Sequence, residues 1–113
     1  MLARKNRILE ERDFKKAFRE KGVKNNFFSL KSKPNRLNTV RIGIIVSKKI
    51  SPKSTERNKL KRRIREVFKA LLPKISKNTD IVLNAFPRSL ELNFQEIKKN
   101  IIELLKKVRL LND

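Results

Sequence analysis

The chain has 113 residues, enough for one domain with one modest core, and it carries 31 Lys and Arg against 11 Asp and Glu, a formal charge of +20. It has no Cys and no His, which excludes disulfides, thiolate-bound zinc, serine or cysteine triads and the commonest general base. Its acids are scattered among basic residues without an evident cluster, so its own side chains are not expected to perform chemistry or to hold a metal.

Self-repulsion at this charge disfavours a compact state unless a polyanion neutralises it. Nucleic acid is the expected partner. An acidic membrane surface and a solvated Lys-rich face with no partner are the alternatives, but solubility alone needs far less charge. No apolar run reaches the ~18 residues of a membrane span. Met1 to Arg7 lacks the apolar stretch of a signal peptide, so a cytoplasmic location is expected.

Residues 1–9 are short, basic and expected to be extended. From Asp13 the pattern turns helical: Phe14, Ala17 and Phe18 recur at i, i+3 and i+4, and Gly22 offers a stop. Asp13 or Asn6 can cap this helix. Asn26 to Ser32 reads as a strand, followed by turn residues Pro34, Asn35 and Asn38. Thr39 to Ser47 is the strongest strand. Its near-continuous apolar run, with Ile44, Ile45 and Val46, suggests cover on both faces and a central place in the sheet.

A basic connection, Lys48 to Lys53, leads to a long helix from about Thr55 to Leu72, with Ser54 or Thr55 as N-cap and Pro73 beyond its end. Asp80 to Phe86 is a second buried strand, ended by Pro87. Asn93 to about Val108 is a helix. Asn93 and Glu96 have the form of a capping box, and Phe94, Ile97, Ile101, Leu104, Leu105 and Val108 make one apolar stripe. The order is α-β-β-α-β-α, an α+β arrangement of helices packed on a small sheet, with residues 1–113 as a single domain. The strand–helix–strand unit from Thr39 to Phe86 should place two strands parallel, and the general rule makes that crossover right-handed.

The long helix is the informative element. Leu60, Ile64, Val67, Phe68 and Leu71 fall on one stripe that packs on the sheet. Asn58, Arg62, Arg65 and Lys69 fall on the opposite face, with Lys59, Lys61 and Arg63 at its flanks. Arg57–Lys61 and Arg65–Lys69 are repulsive i, i+4 pairs, and only Arg62–Glu66 is attractive. Solubility does not require this crowding. Phosphates along an RNA backbone would relieve it, and Arg offers them a two-pronged grip. A membrane-surface role fits less well, because the apolar stripe lacks Trp and is needed for the core.

The run Arg57-Asn58-Lys59-Leu60-Lys61-Arg62-Arg63-Ile64-Arg65-Glu66 closely resembles the RNR motif of bacterial ribonuclease P proteins. Val46-Ser47-Lys48-Lys49 resembles the family's VSKK segment at the same spacing. Phe14 and Phe18, followed by Gly22, resemble its N-terminal aromatic pair, and Asp80-Ile81-Val82 its DIV strand. The resemblance covers nearly the whole chain, with its motifs in the right order.

This resemblance implies a small α/β sandwich whose crossover around the basic helix is left-handed, against the general rule. It implies that a large catalytic RNA cleaves precursor tRNA with magnesium ions, and that the protein supplies affinity. It maps catalytic-RNA binding onto Arg57, Asn58, Lys59, Lys61, Arg62 and Arg65. It maps the cleft for the single-stranded 5′ leader onto Phe14, Phe18, Phe28, Ser29, Lys31, Ser47 and Lys48. Single strands are held by stacking bases on aromatics and tracking the backbone with cations, and Phe14 and Phe18 sit one turn apart. Packing in the core is the other reading of these two rings, and the two readings are compatible. Lys59 stands where the motif usually has Arg, so the charge survives without the guanidinium fork. Ser29 and Lys31 replace apolar or aromatic residues, and Lys31 offers a phosphate contact in place of stacking.

Three other functions compete. A ribosome-associated structural RNA-binding protein would share the charge and the mixed fold. A DNA-binding regulator would need a helix–turn–helix spacing, and a strand precedes the long helix instead. A metal-dependent nuclease would need Asp80, Glu66 and Glu56 to converge, and the last two are separated by ~15 Å along one helix.

Overall fold

The computed structural model describes residues 2–112. They form α1 (Glu11–Phe18), β1 (Gly22–Lys24), β2 (Phe28–Pro34), β3 (Val40–Ile45), α2 (Ser54–Leu71), β4 (Thr79–Ala85) and α3 (Phe94–Lys107). Single 3-10 turns occupy Arg4–Asn6, Leu72–Lys74 and Pro87–Glu91. The strands make one sheet in the order β1-β2-β4-β3. β2 is antiparallel to β1 and β4, and β3 is parallel to β4, as the strand–helix–strand unit requires.

Alternation along the strands decides which helix lies where. Phe28 and Leu30 of β2, Val40 and Ile42 of β3, and Ile81, Leu83 and Ala85 of β4 point to one face. There they meet Leu60, Ile64, Val67, Phe68 and Leu71 of α2 and Ile97, Ile101, Leu104 and Leu105 of α3. α1 covers the other face, where Ala17 and Val82 are buried apart from the main cluster. The result is a layer of two helices, a sheet, and a single short helix behind it. No helix of the described residues is long and apolar enough to cross a membrane.

Several sequence expectations are corrected. β1 was not anticipated: three residues, exposed or half-buried, are too few to show a period. Gly22 is no helix stop, since α1 ends at Phe18 and Gly22 opens β1. A Cβ there would lie 2.1 Å from the Leu30 carbonyl oxygen, so glycine permits the β1–β2 approach. Asn25 turns the chain between these strands, its Oδ1 accepting from Phe27 N and Phe28 N at 2.9 Å each.

β3 is an edge strand rather than a central one. Its apolar run is sheltered because the N-terminal segment lies along its outer side, where Ile8 N donates to Ile42 O at 3.1 Å. That segment is therefore not simply extended: it makes a 3-10 turn and then pairs with β3. The fully buried central run belongs to β4 instead.

The expected N-caps of α1 and α2 also differ. Glu10 stands before α1 and Lys53 before α2, neither giving a side-chain cap. Asn6 donates to Val40 O at 2.9 Å, and Asp13 accepts from Arg41, so both are engaged in tying α1 and its approach to the sheet. Ser54 and Thr55 are already inside α2. The α3 capping box is present in full: Glu96 N donates to Asn93 Oδ1 at 2.9 Å, and Asn93 N to Glu96 Oε1 at 3.0 Å. Of the expected α3 stripe, Phe94 is exposed and Val108 half-buried, so the helix is anchored by its middle.

Two stability measurements test this packing. Ile64→Ala removes a fully buried side chain between helix and sheet. It should cost about 2–5 kcal/mol in denaturant unfolding, while Arg62→Ala on the same helix should stay within about 0.5 kcal/mol. Gly43→Ala would put a Cβ 2.6 Å from the Phe14 ring. It should cost about 1–3 kcal/mol by forcing α1 off the sheet.

Candidate nucleic-acid interface

α2 holds its cations at the surface because its other side is locked in the core. Asn58 and Arg62 are exposed and Arg65 is half-buried; with Glu66 they line one concavity of about 370 Å³. Lys69 is exposed on the same side, and Lys61 is half-buried at the flank. Lys59 and Arg63 turn the other way and line a separate hollow with Glu56, Leu90 and Leu92. The structure therefore gathers Asn58, Arg62 and Arg65 and sets Lys59 apart from them. Arg57 is half-buried and partly committed to its own chain, Nη1 donating to Ser51 O at 2.8 Å. Among the described residues, no Lys or Arg of α2 forms an ion pair with a carboxylate. In a protein of charge +20 this leaves a strongly positive ridge that counterions or a polyanion must balance.

The residues mapped to the leader cleft divide differently. Three rows of side chains cross the α1 face of the sheet, as the register dictates: Lys33–Asp80–Arg41, then Lys31–Val82–Gly43, then Ser29–Asn84–Ile45. Phe14 lies on Gly43, whose missing side chain makes room for the ring. Phe18 is 40% exposed. Lys31 Nζ sits 4.0 Å from the centre of its ring and donates to the Phe18 carbonyl at 2.8 Å. Ring and ammonium are thus presented together, one ammonium N–H being engaged by the Phe18 carbonyl. Ser29 is half-buried in the third row.

Phe28 requires correction. It is 0% exposed and points to the opposite face, into the α2–α3 core, so its ring cannot stack on a base. Ser47 and Lys48 are exposed in the turn after β3, which is clamped by buried Val46 and Ile50 and by Ile50 N donating to Ser47 O at 3.0 Å.

The sequence reading missed Ile45 and Asn84, which share a row with Ser29. It also missed Arg41. Its Nε and Nη2 donate to the two oxygens of Asp80 at 2.8 and 2.6 Å, and its Nη1 donates to Asp13 Oδ2 at 3.2 Å. Asn35 Nδ2 adds a bond of 2.7 Å to Asp80. The hydrogen bonds to Asp80 raise the Arg41 pKa above its ordinary value, and partial burial, acting the other way, does not cancel them. Asp80 is thereby satisfied by protein groups. A polar residue opposite another becomes a pair only once register is known, so sequence gave little sign of this one.

The two surfaces meet at the edge of the sheet. Arg65 of α2 and Phe14 of α1 line one groove with Arg7, Ile8, Gly43 and Ile44. They approach each other because β3 is an edge strand with only the N-terminal segment beyond it.

The comparisons with known proteins identify the family of the chain and its fold. The family model described as Ribonuclease P matches residues 2–109. The ribonuclease P protein component of Lactobacillus gasseri is 33% identical over 95% of this chain and 89% of its own. That of Thermotoga maritima is 34% identical over 93% of each. Among solved structures, the RNase P protein of Staphylococcus aureus superposes with a TM-score of 0.84 at 30% identity, covering 95% of this chain and 98% of its own. The Thermotoga maritima protein gives 0.80 at 33% identity, over 89% and 96%. The likeness runs from the N-terminal segment through the basic helix to α3, and this chain belongs to the ribonuclease P protein family.

Proposed function

We propose that this chain is the protein subunit of ribonuclease P, binding the catalytic RNA along α2 and the 5′ leader of precursor tRNA over the α1 face of the sheet. It assists endonucleolytic removal of the leader, which leaves the mature tRNA 5′ end. The chemistry belongs to the RNA subunit and its magnesium ions, and the protein contributes affinity and placement. It works in the cytoplasm, where its partners are the two RNAs, without a membrane or a small-molecule substrate.

The observation that carries this reading is the excess charge of α2, seven Lys and Arg against two Glu. Asn58, Arg62 and Arg65 stand at the surface without a carboxylate partner among the described residues, while the other side of the helix is sealed in the core. An RNA backbone supplies the missing anions at matching density, and each phosphate neutralised releases counterions. Phe14, Phe18, Lys31, Ser29, Ser47 and Lys48 support the leader part of the reading, with Phe28 holding the sheet from behind. A strand laid there would find an aromatic surface and cations together, the combination that suits unpaired nucleotides.

Purified protein, a bacterial ribonuclease P RNA and precursor tRNA, mixed at low magnesium, should release the leader only when the protein is present. Leader release that ignores the protein would sink the assignment. Arg62→Ala and Arg65→Ala should each weaken binding to the catalytic RNA and lower the slope of log affinity against log salt by about 1, with unfolding midpoints unchanged. Wild-type affinity and slope in both variants would remove α2 from the interface.

A further inference from the structure

α1 is poorly equipped to hold its own position. It has eight residues, no side-chain N-cap, and only Ala17 fully buried. A helix this short is marginal unless tertiary contacts hold it. Ala17 has little surface to bury, and Phe14 and Phe18 are left half-buried and exposed. α2 and α3, by contrast, bury five and four side chains.

What fixes α1 is polar and sits at its two ends. Near its start, Asp13 meets Arg41, whose guanidinium is itself gripped by both oxygens of Asp80 on the neighbouring strand. The side chains of Arg41, Asp13 and Asp80 are 16%, 24% and 6% exposed, so the bridge is largely shielded from water and salt. At its end, the last helical carbonyl, that of Phe18, accepts from Lys31. These contacts, with Phe14 on Gly43, fall on the first two rows of the sheet face and leave the Ser29–Asn84–Ile45 row beyond them. Successive rows are ~7 Å apart. Drift of α1 by a single row would cover that third row and carry both phenylalanine rings with it.

We infer that Arg41 is a positioning residue for leader binding: anchored on Asp80, it holds α1 through Asp13 and so sets where Phe14 and Phe18 stand relative to the open row. Arg suits the task because one planar fork serves two carboxylates on different elements. Lys keeps the charge but lacks the fork that grips both Asp80 oxygens while reaching Asp13. This inference rests on the leader-cleft reading above and adds to it a residue that touches no RNA.

The test uses the holoenzyme reconstituted from the protein and a bacterial ribonuclease P RNA. Affinity is measured for a precursor tRNA with its leader and for the same tRNA without one. The variants are Asp13→Ala, which leaves the Arg41–Asp80 pair intact and places a better helix former in α1, and Arg41→Lys, which keeps the charge. Both should lose about five- to tenfold in affinity for the leader-bearing tRNA, the effect of about one ordinary hydrogen bond. Affinity for the leaderless tRNA and for the catalytic RNA should not move. In turnover the loss should appear in KM, with kcat at saturation retained. Unchanged leader preference in both variants overturns the inference, as does an equal loss for both tRNAs or for the catalytic RNA, which would mark a merely structural bridge. If the wild-type holoenzyme itself binds the two tRNAs alike, the leader-cleft reading falls first and the inference with it.

Discussion

Everything at the surface of this protein depends on the apolar stripe of α2. Seven Lys and Arg on one helix of 18 residues repel one another, by some tenths of a kcal/mol for each close pair. Against this stand five buried side chains, Leu60, Ile64, Val67, Phe68 and Leu71, each contributing about 1.5–3 kcal/mol before chain entropy is counted. Packing wins by a wide margin. The helix can therefore display unbalanced charge without melting, and the repulsion remains as a standing preference for an anionic partner.

The few acids of the chain are placed consistently with this. Asp80 and Asp13 are drawn to Arg41 on the α1 face, and Glu20 to Lys33 nearby. Glu11, Glu10 and Glu103 make exposed local pairs worth little. Asp13 and Asp80, which fasten α1, and Glu20 lie on the side of the sheet away from α2, while Glu56 and Glu66 stand on α2 among its seven cations. Burying Asp80 would be costly if it stood alone, but two guanidinium contacts and the Asn35 amide satisfy it.

How far sequence predicts such a structure depends on how local the cause is. The α2 stripe, the middle of the α3 stripe and the Asn93–Glu96 capping box involve residues within a few turns of one another, and they are found where expected. The parallel pairing of β3 and β4 follows from an intervening helix. The order of strands does not, because an apolar run records that a strand is covered and not by what. β3 is covered by residues 7–8 rather than by a fifth strand, so its run read as central. Phe28 misled for a related reason: a phenylalanine beside the motif positions can face either side of the sheet, and only the register with Ala85 places it in the core. The residues proposed to face RNA on α2 were legible because charge crowding is visible in one dimension. Arg41, Asn84 and Ile45 were not, because their neighbours come from other strands.

The edge position of β3 bears on how the two proposed RNA contacts cooperate. α1 and α2 lie on opposite faces of the sheet, and behind a central strand they would address separate surfaces. With β3 at the margin, the chain wraps the edge and brings Phe14 and Arg65 into one groove. An RNA bound along Asn58, Arg62 and Arg65 would then run directly into the path of a strand lying over Phe14 and the open row. On the proposed reading, the catalytic RNA and the leader are thus held across the edge of a single sheet. The geometry between them is set by β3, by Gly43 beneath the ring, and by the ion pair that keeps α1 from sliding over the strand it guards.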